Sequence, residues 1–192
     1  MDYKKLQNGS DIRGVALEGI EGQHINLTES ACKDIGRGFA LWLSKKCGKS
    51  DLRVAVGRDS RLSGETLCTW ICSAMAQQGI AVTDFGMAST PAMFMATVTA
   101  GYSYDGTVMI TASHLPFNRN GFKFFTAQGG LEKGDIKEIC DIANPNDGVI
   151  TSVGPQHLET FKSIENVFST KFELADAVKQ NGGLTFVNGD SK

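Results

Sequence analysis

"GTVMITASHLPFNRNGFKFFT", residues 106–126, decides how the rest of the chain must be read. Two apolar segments of strand character, GTVMIT and GFKFFT, flank a polar stretch full of turn formers. A connection of about nine residues is too short for the crossover that parallel neighbours need, so the two strands read as antiparallel partners. The stretch between them commits Pro116, Asn118, Asn120 and Gly121 to a shape that no simple hairpin requires. It also sets Ser113 and His114 where the first strand ends.

Working outward, segments of helical and strand period alternate. Thr28 and Glu29 open an amphipathic helix with Ile35, Phe39, Trp42 and Leu43 on one face, closed by Gly48 after Lys45 and Lys46. A strand at 52–56 runs into the turn GRDSRLSG, and a second helix fits from Ser63 to Gln78. Residues 80–85 read as a strand, and Thr90 with Pro91 reads as a cap and first helical residue. Ile136, Ile139, Cys140 and Ala143 carry a further helix. Strands alternating with helices predict an α/β fold, a three-layer α/β/α domain. Its sheet should be mixed, mostly parallel, with one antiparallel strand.

NPNDG, at 144–148, has the chemistry of a boundary, so the expected division is 1–148 and 149–192. Beyond it, Leu158, Phe161, Ile164 and Phe168 show helical spacing, and GGLTFV resembles one strand. So few elements cannot build a second core, and 149–192 reads as an incomplete second domain or a tail.

A net charge of -2 gives no footprint for nucleic acid and no attraction to a membrane surface. The N-terminus lacks an apolar signal segment, and five cysteines without a CxxC pair suit a reducing compartment. The expected location is cytoplasm or plastid stroma, not outside the cell. Cys68 and Cys72, four apart on a helix, read as core or surface residues because no third ligand accompanies them.

Function in such sheets gathers in loops at the carboxyl ends of strands. GRDSRLSG brings Arg58, Arg61 and a helix start; TASHLPFNRNG brings Ser113; NGSDIRG, with Arg13, can fold back beside them. Guanidinium groups and a helix N-terminus around a serine suit a phosphate. Lys123, across the antiparallel pair, can return toward the serine as proton acceptor or charge clamp. A Ser-His-Asp hydrolase is disfavoured: there is no GxSxG elbow, and His24 and His157 sit in poor contexts. On an extended backbone, His114 would point away from Ser113. The plain alternative is that Ser113 only caps a turn.

TASHLPFNRNGFKFF resembles the phosphoserine loop of the α-D-phosphohexomutases, the family of phosphoglucomutase and phosphomannomutase. DIRG, VAVGRDSRLSG and STPA resemble further motifs of that family, in the same order, from about residue 7 to 143. The resemblance implies that Ser113 is the phosphorylated serine, flanked by His114, with Lys123 as general base or electrostatic partner and Arg13 beside it. It implies Arg58, Arg61, Thr111 and Asn120 as phosphate-binding or loop-orienting residues. The implied reaction interconverts hexose 1-phosphate and hexose 6-phosphate through a bisphosphate. Implied cofactors are Mg²⁺ and a hexose 1,6-bisphosphate activator.

This sequence departs from the pattern in two places. Leu115 stands where the family has asparagine. The aspartate-rich metal loop and the sugar-reading loops of later domains have no counterpart, and Asp176 and Asp190 lack the required spacing. Only a phosphoserine oxygen at Ser113 is left as a metal ligand. The expected partners are a small-molecule phosphosugar and either the mutase domains the chain lacks or another chain, with no nucleic acid and no membrane. The alternative is a catalytically inactive phosphosugar-binding or interaction module.

Overall fold

The structure, a computed structural model, describes residues 3–142 and two short strands at 148–150 and 185–187. Tyr3–Ala143 forms one compact unit. It begins with a 3-10 turn at Tyr3–Leu6, then β1 (Gln7–Asn8), β2 (Asp11–Val15) and α1 (Glu29–Cys47). The alternation continues as β3 (Arg53–Arg58), α2 (Gly64–Ala76), β4 (Ala81–Met87) and α3 (Thr90–Val98). It closes with β5 (Gly106–Ile110), β6 (Arg119–Thr126), β7 (Gly129–Gly130) and α4 (Lys133–Ile142). No helix among the described residues is long and apolar enough to cross a membrane.

The helix ends follow their local chemistry. Thr28 accepts a hydrogen bond from the Ala31 amide at 3.3 Å, and Gly48 takes the left-handed conformation (φ 66°) that stops α1. At α3 the cap falls one residue earlier than expected. Ser89, not Thr90, accepts from the Ala92 amide at 3.3 Å, and Pro91 sits inside the first turn. A serine in extended backbone can close that ring, whereas Thr90 is already helical.

The sheet order is β1-β2-β6-β5-β3-β4, with β7 on β6. β3 pairs in parallel with both β4 and β5, while β6 lies antiparallel between β5 and β2. Among the longer strands, β6 therefore runs against the rest, as the short connection before it requires.

Side chains alternate between the two faces. Val54, Val56, Val108, Ile110, Phe122 and Phe124 meet α1, α2 and α4, whose Phe39, Ile71 and Ile139 are fully buried. Each large apolar side chain buried this way contributes about 1.5–3 kcal/mol. Ala55, Met109 and Phe125 pack on the other face against Met93 and Ala96 of α3. Asp11, Arg13 and Lys123 share the face of Met109 by register, and this half-open face becomes the site.

The approach of β2 to β6 depends on Gly121, which lies opposite Arg13. A Cβ there would stand 2.3 Å from the Ile12 carbonyl and 2.9 Å from Arg13 Cγ. Any side chain would push the DIRG strand away from the hairpin.

In the second unit, β8 (Gly148–Ile150) and β9 (Thr185–Val187) pair in parallel. The strand expected in GGLTFV is β9; the pairing of β8 with it had no sequence signal. The helix expected around Leu158–Phe168, and Asp176 and Asp190, lie outside the described residues.

Candidate functional site

The connection from β5 to β6, residues 111–118, stands at the carboxyl end of β5 beside that of β3. Ser113 is exposed there with φ 55°, a left-handed backbone that a non-glycine residue adopts at a cost of about 1–2 kcal/mol. Both of its backbone polar groups are held. Its N–H donates to Thr111 Oγ1 at 2.9 Å, and its carbonyl accepts from Arg61 Nη2 at 2.8 Å. None of the described residues hydrogen-bonds its hydroxyl. Such strain persists only where the surroundings over-determine the residue, and here both backbone groups are clamped while the hydroxyl is exposed.

Two systems impose that geometry. Asp59, in the turn after β3, accepts from the Thr111 hydroxyl at 2.7 Å, and Thr111 in turn accepts from the Ser113 amide. Asp59 also accepts from the Arg61 amide at 3.1 Å, so one carboxylate ties two loops together. Arg61 provides the second clamp. Its two terminal nitrogens donate to the carbonyls of Ser113, Leu115, Pro116 and Arg119 at 2.8–3.0 Å. Its Nε lies 3.4 Å from Asp59 Oδ2 but without hydrogen-bonding geometry. A planar guanidinium can gather four carbonyls in this way; a lysine, with one charged point, cannot.

The asparagines fix the far side of the loop. Asn120 is fully buried; its amide donates to Ser63 Oγ at 2.8 Å and its own oxygen accepts from the Gly121 amide. Asn120 therefore orients the loop against the start of α2 and is not placed to touch a phosphate. Ser63 receives this bond instead of capping α2. Asn118, also buried, donates to Gln23 Oε1, and its carbonyl receives the amides of Ala16 and Leu17.

On the open face, Arg13 and Lys123 meet at Asp11, the first residue of DIRG, for which the sequence had suggested no role. This carboxylate is 5% exposed and accepts from Arg13 at 2.8 Å and from Lys123 Nζ at 2.5 Å. Arg13 Nη1 reaches on to the Ala112 carbonyl at 3.5 Å, next to Ser113. Lys123 was expected to return to the serine itself. Instead its amine donates to Asp11, and the link to the loop runs through Arg13. The signal was available: residues i and i+2 of a strand share a face, so Asp11 must lie beside Arg13.

Two other expectations change. Arg58 does not orient the loop; its guanidinium turns to Asp84 on the edge strand β4, at 3.4 Å, and Arg61 holds the loop instead. His114 is exposed and comes directly after a left-handed residue, so the extended-backbone argument about its direction does not hold. Among the described residues no group of three or more His, Cys, Asp or Glu side chains could hold a metal ion. The two carboxylates that frame the loop, Asp11 and Asp59, are committed to cations, a hydroxyl and an amide. These residues do not fit Mg²⁺ by themselves.

Known proteins of one family resemble this chain. The model of "Phosphoglucomutase/phosphomannomutase, alpha/beta/alpha domain I" matches residues 4–148. A phosphoglucosamine mutase of Corynebacterium jeikeium is 45% identical over 136 residues, covering 70% of this chain and 28% of that protein. A phosphoglucomutase of Neisseria gonorrhoeae is 37% identical over 136 residues, covering 71% of this chain and again 28% of its own length. A phosphoglucomutase/phosphomannomutase family protein of Burkholderia thailandensis superposes with a TM-score of 0.61 at 20% identity, over 100% of this chain and 45% of that one. The chain thus spans under a third of the length of these two curated relatives. It belongs to the phosphoglucomutase/phosphomannomutase family, whose α/β/α domain I it carries over residues 4–148.

Proposed function

We propose that this chain is the phosphoryl-carrying domain of a hexose-phosphate mutase, with Ser113 as the group that bears the phosphate. The observation that carries the reading is Ser113 itself: exposed, left-handed, clamped at both backbone groups, its oxygen unclaimed. In the transfer, the bond from Ser113 Oγ to phosphorus breaks and one from a sugar hydroxyl forms. The sugar oxygen gives up its proton and Oγ regains one on protonation. Run again from the other phosphate of the bisphosphate, the cycle converts hexose 1-phosphate to hexose 6-phosphate.

Arg13 and Lys123 supply positive charge on this side of the loop, where charge compensation carries most of the catalysis of such steps. Lys123 acts here as a fixed charge, since an ammonium donating to Asp11 has no lone pair with which to accept a proton. His114, exposed beside the serine, is free to hold a phosphate oxygen. Ligands for Mg²⁺ would have to come from beyond the described residues. Residues 1–148 are the proposed first domain, and 149–192 an incomplete second domain or a tail.

The test is intact-mass analysis with site mapping before and after incubation with hexose 1,6-bisphosphate and Mg²⁺. One phosphoryl group on Ser113, absent in Ser113→Ala, is the expected result; modification elsewhere would overturn the assignment. A second reading, an inactive phosphosugar-binding module, is favoured by the commitment of Asp11 and Asp59 to other partners, which leaves no metal-ligand set among the described residues. Turnover of glucose 1-phosphate by the isolated chain in a coupled assay would exclude it.

A further inference from the structure

Cys68 and Cys72 stand one turn apart on α2 with their sulfurs 3.7 Å from each other. Cys68 is buried and Cys72 half-buried, so the pair reaches from the core toward solvent. From sequence they read as isolated core or surface residues; the distance changes that reading. Direct oxidation is not the natural chemistry of this pair. Helix neighbours four apart hold their Cβ atoms about 5–6 Å apart, and a disulfide needs about 3.5–4.5 Å. Closing one would deform α2.

A single bridging atom fits without that deformation. Thiolate bonds to zinc are about 2.3 Å, so two sulfurs on one tetrahedral ion stand about 3.8 Å apart. The hydrogen bond within the pair holds the Cys68 thiol below its ordinary range and, with burial, pushes that of Cys72 well above it, so the second proton leaves only as the cation binds. Burial alone acts the other way, pushing the Cys32 thiol up to about 12. The described residues complete no closed set of three or more ligands, so an occupant keeps open positions on the solvent side of Cys72.

We propose that Cys68 and Cys72 chelate one soft, thiophilic cation with a filled d shell, each sulfur releasing its proton to solvent as it binds. The site is independent of the phosphoryl chemistry proposed above. It lies near the Arg58–Asp84 pair, whose charges both act on Cys68.

The test is titration of the reduced 192-residue chain with Zn²⁺ by calorimetry, and with Cd²⁺ while monitoring thiolate-to-metal charge transfer in the near ultraviolet. One ion per chain and a thiolate band are expected. Cys72→Ser and Cys72→Ala should each weaken binding by roughly tenfold or more, with melting curves showing that they fold. Cys47→Ser, which removes the exposed lone thiol, should change nothing. No binding, no thiolate band, or binding untouched by both Cys72 variants would overturn the proposal.

Discussion

Arg61→Ala is expected to release the loop at 111–119 while leaving the sheet intact. Four carbonyls lose a charged donor, and the side chain that supplies it is only 14% exposed. Hydrogen bonds to a charged group are worth about 1.5–3 kcal/mol each, but water can replace those at the surface. The expected net loss in urea unfolding is therefore about 2–4 kcal/mol rather than the sum. Hydrogen exchange gives the sharper readout. The amides of Ser113, Leu115 and Arg119, bonded to Thr111, Ala112 and Pro116, should exchange far faster, while those of β3 keep their protection. Arg61→Lys should not rescue them, because an ammonium cannot gather four carbonyls at once. Unchanged loop exchange in Arg61→Ala would mean that the loop shapes itself.

The second large effect is expected at Asp11. Asp11→Asn leaves Arg13 and Lys123 facing each other without the carboxylate that both use. Removing one partner of a buried pair costs about 3–5 kcal/mol. Lys123 is 27% exposed, so solvent screens part of the repulsion and about 2–3 kcal/mol is the expected loss. An oxyanion should partly replace the lost charge. Phosphate at millimolar concentration is expected to raise the melting temperature of Asp11→Asn more than that of the parent chain. Equal responses would show that the two cations are not available to a phosphate.

Much of this was legible in the sequence, because the informative features are local. The caps of α1, the short connection after β5 and the apolar period of α4 each depend on residues within one element. The loop residues Pro116, Asn118, Asn120 and Gly121 were legible as shape-fixing, since so many turn formers need a reason. What each one touches was not. Asn120 meeting Ser63, and Arg61 rather than Arg58 holding the loop, are decided by where α2 sits on the sheet. Two arginines three residues apart in one turn look alike until that packing is known. Asp11 was within reach of strand alternation, but its importance lies in Lys123, more than a hundred residues away, and pairing register is a tertiary fact. The parallel pairing of β8 with β9 is likewise invisible in two such short segments.

Whether the surroundings of residue 113 suit a phosphoryl group can be measured without any further domain. Phosphoserine installed at position 113 should titrate, by ³¹P NMR, with its second ionisation below the value of about 6 for the free group. Arg13 and Lys123 would favour the dianion, and Arg13→Ala should move the titration back up. A phosphoserine that titrates at its ordinary value, unmoved by loss of Arg13, would contradict the account.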